Sequence, residues 1–176
     1  MIKRKATQIG DPIIRRSSKR VSDVGSKKVK RAIRDLTDSM RFHGLVGMAA
    51  PQIGLNLRIF VTQIRKTRTR RKQKEADPLR VYINPAIVLY SKKCILGYEG
   101  CGSVASGQLF GPVRRSEKVT VRAQDEQGRV FILEAKDLLA RVIQHELDHL
   151  DGLVFMDKVT DTKKFLDRGE YIKKFR

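Results

Sequence analysis

The chain has 176 residues, of which 40% are hydrophobic, and carries 38 Lys and Arg against 19 Asp and Glu, a formal charge of +19 at pH 7. That length is most economically one domain, 1–176, able to bury a substantial core, and no apolar run approaches the about 18 residues of a membrane span. The basic stretch Met1 to Arg20 lacks the apolar segment of a secretory signal, and two cysteines make no disulfide framework, so a reducing, cytoplasmic setting fits.

The charge suggests residence near a polyanion, RNA first, although a basic proteome or a saline cytoplasm leaves the same mark. Residues 1 to 31 hold eleven Lys or Arg against two Asp. Gly10-Asp11-Pro12 is a turn signal. Val29, Ile33, Leu36 and Met40 then recur at helical spacing and predict an amphipathic helix over 26–43. His43, at its end, reads as a capping or surface residue. The run Leu45 to Gly54 is rich in small residues, which permits close approach of another backbone or a ligand. Within it Gln52 is either a satisfied core amide or a positioned donor.

Leu57 to Ile64 is a predicted strand. Residues 65 to 74 contain seven basic residues and no acidic or apolar one, so a basic insertion at about 63–78 is expected to project as a loop or hairpin tip. It could grip phosphates or stand as a solvated loop, and with no aromatic residue interleaved it offers no platform for bases. Val81 to Pro85 and Ile87 to Tyr90 read as two short strands broken by Pro85. Glu99-Gly-Cys-Gly-Ser103 is a small-residue turn with a thiol at its centre, whereas Cys94 reads as a small core residue. Glu117 to Asp125 alternates, with Val119, Val121 and Ala123 on one side, and Val130 to Leu133 is its hairpin partner.

Lys136 to Val142 opens a helix that continues through Gln144-His-Glu-Leu-Asp-His149, with Gly152 as its stop. Residues four apart on a helix lie one above the other, so His145 and His149 can reach one metal ion. Glu146 is then placed to take a proton from a metal-activated water. A hydrolytic site needs a third protein ligand, and Cys101 completes a soft Cys-His-His set. Leu153 to Phe155 is expected to leave the helix as a strand, and the mixed-charge tail at about 157–176 to form a short surface helix. The order of elements suggests an α+β fold with mostly antiparallel sheets wrapped around a central metal-binding helix.

Three segments in this order resemble the motifs of peptide deformylases: Gly47-Met-Ala-Ala-Pro-Gln52-Ile-Gly, Glu99-Gly-Cys101-Gly-Ser, and Gln144-His-Glu-Leu-Asp-His149. The resemblance runs from about Ile9 to Lys158, and its start so near Met1 leaves little room for a cleavable transit peptide. It implies removal of the formyl group from the N-terminal formylmethionine of nascent polypeptides. It also implies one divalent ion on Cys101, His145 and His149, Fe(II) first, with Zn, Ni or Co able to take its place. Glu146 becomes the general base, and Gln52 with the backbone N–H of Gly102 the oxyanion donors. Val46, Gly47 and Gly100 are implied to pair with substrate backbone, and Val46, Leu138 and Val142 to line the methionine pocket. Arg115 could pair with Glu99. The partners implied are formylmethionyl peptides and, through the Arg65 to Lys74 loop, the ribosome or its RNA, with no membrane.

Leu45 stands where the family's first motif usually has Gly, and Gly102 where its second usually has Leu. Leu45 is expected to narrow the groove and Gly102 to loosen the oxyanion turn. Two competing readings follow. One is a related hydrolase of another N-acyl or small amide substrate. The other is a non-enzymatic RNA- or ribosome-binding protein whose metal is structural, with His43 or Cys94 as fourth ligand.

Overall fold

The computed structural model describes residues 4–67 and 76–175. Its first long element is helix α1, Lys27–Phe42, begun by Ser26, whose hydroxyl accepts from the Val29 amide at 3.3 Å. Val29, Ile33, Leu36 and Met40 form its buried stripe, as their spacing predicts. His43 caps the C-terminus, and Gly44, at φ +66°, turns the chain away.

Strands β1 (Gly47–Ala49), β2 (Ile59–Ile64) and β3 (Asp77–Tyr90) follow, with β6 (Lys118–Gln124) and β7 (Val130–Lys136) completing an antiparallel sheet of order β1-β2-β3-β6-β7. Side chains alternate across it. Ile59, Val61 and Ile83 pack with Ile33, Leu36 and Met40 of α1. Phe60, Tyr82, Val119, Val121 and Ala123 pack on the opposite face against Ala140, Ile143, Leu147 and Leu150 of helix α2, Asp137–Leu150. Covering both faces explains why β2 is apolar almost continuously rather than alternating.

On the other side of α2 lies a second antiparallel sheet, β4 (Cys94–Gly100), β5 (Leu109–Ser116) and the short β8 (Leu166–Asp167), in that order. Helix α2, which carries His145 and His149, is thus held between two antiparallel sheets, as expected. The chain closes with α3, Arg168–Phe175.

Three expectations need correction. Val81 to Pro85 and Ile87 to Tyr90 belong to one strand, β3, whose register slips between Ile83 and Ala86. The irregularity absorbs Pro85, and Asn84, at φ +51°, ties it down with hydrogen bonds to Val21 and Gln124. Leu153 to Phe155 form no strand. The Val154 amide donates to the Asp157 carboxylate at 2.9 Å, and this local cap turns Phe155–Lys158 into a 3-10 helix. Cys94 is exposed, because it begins β4 on the sheet's rim rather than under it. The tail does form a short helix, yet its Tyr171 is buried, its ring stacked on Phe110 at 4.1 Å.

β2 and β3 pair with Ile64 opposite Asp77. Most of the basic stretch between them, residues 68–75, lies outside the described residues. Among the described residues no helix is long and apolar enough to cross a membrane.

Candidate metal centre and active-site cleft

The last turns of α2 carry His145 and His149, and the end of β4 delivers Cys101 beside them. The three ligand atoms lie within 4.8 Å of one another, and Cys101 Sγ is 3.1 Å from His149 Nε2. The Ser103 amide and the Gln52 side-chain amide also donate toward the sulfur, at 3.4 and 3.5 Å. Burial alone would push the Cys101 thiol up, but the imidazoles of His149 and His145 hold it well below the usual thiol range. Thiolate and imidazoles that converge without other cross-links are a donor set suited to a divalent transition metal. Among the described residues neither His43 nor Cys94 joins this group. His43 Nε2 instead donates to the Arg4 carbonyl, 2.9 Å away.

Behind these three side chains stands a buried ionic network. His145 Nδ1 meets Glu99 Oε2 at 2.9 Å, which directs Nε2 toward the thiol. Glu99 is gripped by both ends of the Arg115 guanidinium at 2.9 Å, the pair expected from the sequence, and by Arg141 at 2.8 Å. Burial disfavours the charged Glu99 carboxylate, but its Arg115 and His145 partners overcome this and hold its pKa far below the ordinary value. Arg115 reaches on to Asp148.

Glu146 is 3% exposed, and its Oε2 has no hydrogen-bond partner among the described residues. Burial raises its pKa to about 7, against the lowering effect of the two imidazoles. Gly47 is what admits this carboxylate, because a Cβ there would stand 2.4 Å from Glu146 Oε1. Gln52 is 2% exposed, with Oε1 accepting from the Ala49 amide at 2.8 Å, so its NH2 points at the thiol side. Gln52 is both of the things its sequence context allowed, a satisfied core amide and an aimed donor.

Val46, Gly47, Gln52, Gly100, Cys101, Gly102, Leu138, Val142, His145 and Glu146 all line one cleft, together with Leu45, Tyr98, Arg141 and Tyr171. Every site residue singled out from sequence is therefore in or against this cleft, with His149 buried beneath it.

A sequence model of the family described as polypeptide deformylase matches residues 3–165. The chain belongs to the polypeptide deformylase family. It is 41% identical over 154 residues to a peptide deformylase of Dictyoglomus turgidum, covering 88% of this chain and 91% of that one. Against a peptide deformylase of Pseudothermotoga lettingae the identity is 38% over 169 residues, covering 96% and 90%. Among solved structures, the peptide deformylase of Synechococcus elongatus in complex with actinonin superposes with a TM-score of 0.80 at 34% identity, over 90% of this chain and 80% of that one. The Met-Ala-Ser-bound class I type b enzyme of Acinetobacter baumannii gives 0.81 at 28% identity, over 89% and 99%.

Within this deformylase-family chain the two unusual motif positions are neighbours. Gly102 is not loose, since the Gln8 side chain donates to its carbonyl at 2.8 Å and accepts from the Ser106 amide at 2.9 Å. The N-terminal arm thus restrains this turn. Sequence reasoning missed Gln8, Arg141, Asp148 and Tyr171. For Arg141 and Asp148 a signal existed: they sit four before and three after His145, on its helix face. For Gln8 and Tyr171 there was none, because their partners, Gly102 and Phe110, are remote in sequence.

Proposed function

We propose that this protein removes the formyl group from N-terminal formylmethionine on nascent polypeptides. The observation that carries the reading is Glu146: a buried carboxylate with an unpartnered oxygen, its pKa raised to about 7, set beside three converging metal-ligand atoms. Cys101, His145 and His149 would hold one divalent ion, Fe(II) first, with Zn, Ni or Co as substitutes. When bound, the ion acidifies a water and polarises the formyl oxygen.

The remaining steps belong to the chain. Glu146 takes the proton of the attacking water and passes it to the leaving amine, a role for which a pKa near the working pH is best matched. The Gln52 NH2 and the Gly102 amide donate to the oxygen that gains charge. Val46, Gly47 and Gly100 offer backbone to the peptide, and Val46, Leu138 and Val142 form an apolar wall for the methionine side chain. Glu99, fixed by Arg115 and Arg141, keeps His145 in one ring orientation.

The alternative of a closed structural metal is disfavoured, since no fourth His or Cys joins the group among the described residues. The cytoplasm and the ribosome remain the proposed setting. The basic surface that includes Arg65 and Lys66 supports them through charge.

The test is formate release from formyl-Met-Ala-Ser by anaerobically iron-loaded protein, beside Glu146→Ala. Release by the parent, with a loss of about 100-fold or more in the variant, is expected. A folded, metal-loaded parent that releases no formate would sink the reading.

A further inference from the structure

The cleft does not end at the metal ligands. A groove continues from Gly100, Cys101, Gly102 and Leu45 toward the surface, and it is walled by Lys5, Arg41, Arg65 and Arg168. These four cations come from four separate places: the N-terminal arm, the end of α1, the residue after β2 and the first residue of α3. No Asp or Glu lines the groove among the described residues.

Arg65 shows the consequence. Its guanidinium donates to the Leu45 carbonyl at 3.2 Å, which ties it to the wall of the cleft itself, and at 3.5 Å to the Lys66 carbonyl. Its Nε is buried with no partner among the described residues. Burial first, then the charge of nearby Arg41, lowers its pKa. A guanidinium crowded by a second one and short of an acceptor is a place where an incoming anion is stabilised. The groove opens directly from the cleft, so it offers a path for the residues that follow methionine, at about 3.3 Å per residue.

We propose that the groove selects formylated peptides carrying Asp or Glu in the two to four residues after methionine. The inference rests on the deformylase reading and adds a substrate preference to it. A peptide carboxylate is favoured over a nucleic-acid phosphate because the groove is continuous with the metal ligands, where only a peptide has a bond to be cleaved.

The experiment compares kcat/KM for three peptide amides, formyl-Met-Ala-Ser-Ala, formyl-Met-Asp-Glu-Ala and formyl-Met-Lys-Arg-Ala, on metal-loaded protein. In parallel, calorimetry measures binding of the unformylated Met-Asp-Glu-Ala and Met-Lys-Arg-Ala amides. The acidic peptide is expected to exceed the basic one by about 5- to 20-fold in both readouts, given several partly exposed charge pairs. The ratio should collapse between 0.1 and 1 M salt, as the screening length falls from about 10 to about 3 Å. Arg168→Glu and Arg41→Glu should each reduce it.

Equal values for the acidic and basic peptides, with formate released from all three, would overturn the preference and leave the deformylase reading standing. If short RNA then inhibits all three equally, the groove belongs to phosphates. No formate from any peptide would remove both.

Discussion

A Cβ on residue 102 would stand 3.4 Å from the Leu45 Cδ1 methyl, so a larger side chain there meets Leu45. The two positions expected to depart from the family's motifs therefore face each other at the mouth of the cleft. The expected narrowing by Leu45 is offset by the missing side chain opposite. Gly102→Leu alone should overpack this spot and cost about 1 to 3 kcal/mol, read as a lower denaturant midpoint. Adding Leu45→Gly should recover most of the loss. Simple additivity of the two changes would show that the contact is not coupled.

Gln52→Glu keeps an oxygen for the Ala49 amide and removes the NH2 aimed at the thiol side. We expect kcat on formyl-Met-Ala-Ser to fall by about 100- to 1000-fold while bound metal, measured by elemental analysis, stays near one per chain. Unchanged kcat would take Gln52 out of the reaction.

Glu99→Gln weakens the hold on His145 Nδ1 and leaves Arg115 and Arg141 without their shared carboxylate. Metal affinity, measured by competition with a chelator, should drop about 10- to 100-fold. Arg115→Met leaves the buried Glu99 charge undercompensated and should destabilise the protein by about 3 to 5 kcal/mol. A midpoint equal to the parent's would show the network to be dispensable.

The two cysteines differ in exposure, Cys94 open and Cys101 buried. A small alkylating reagent should modify Cys94 alone in metal-loaded protein. After chelation Cys101, with its lowered thiol pKa, should react as well, and mass spectrometry of the labelled peptides reads the difference. Equal labelling of Cys101 with and without metal would count against its role as a ligand.

Tyr171 is buried through its stack on Phe110, at 4.1 Å and 5° between ring planes. Tyr171→Ala should release α3 from the groove wall, seen as faster amide exchange over residues 168–175. Retained protection there would mean that other contacts hold the helix.

How much of this was legible in the chain follows the range of the interactions. Helix α2 and its two imidazoles were readable because a four-residue repeat is enforced by the helix itself. The strand pair β6 and β7 was readable because Val119, Val121 and Ala123 alternate around a Gly-containing turn. The α1 stripe and the place of Cys101 beside the two imidazoles were likewise legible, the first from periodicity, the second from its turn and motif. What only the tertiary structure decided depends on groups far apart in sequence. Pro85 was absorbed into β3 because the neighbouring strands tolerate a bulge there; Leu153 to Phe155 is the exception, turned by a local cap from Asp157 that the apolar run concealed. Arg115 and Arg141 share Glu99 only because β4, β5 and α2 are packed together. Gln8 clamps Gly102, Leu45 stands opposite it, and four cations gather along one groove, because sheet register and helix packing bring together side chains that no local repeat relates.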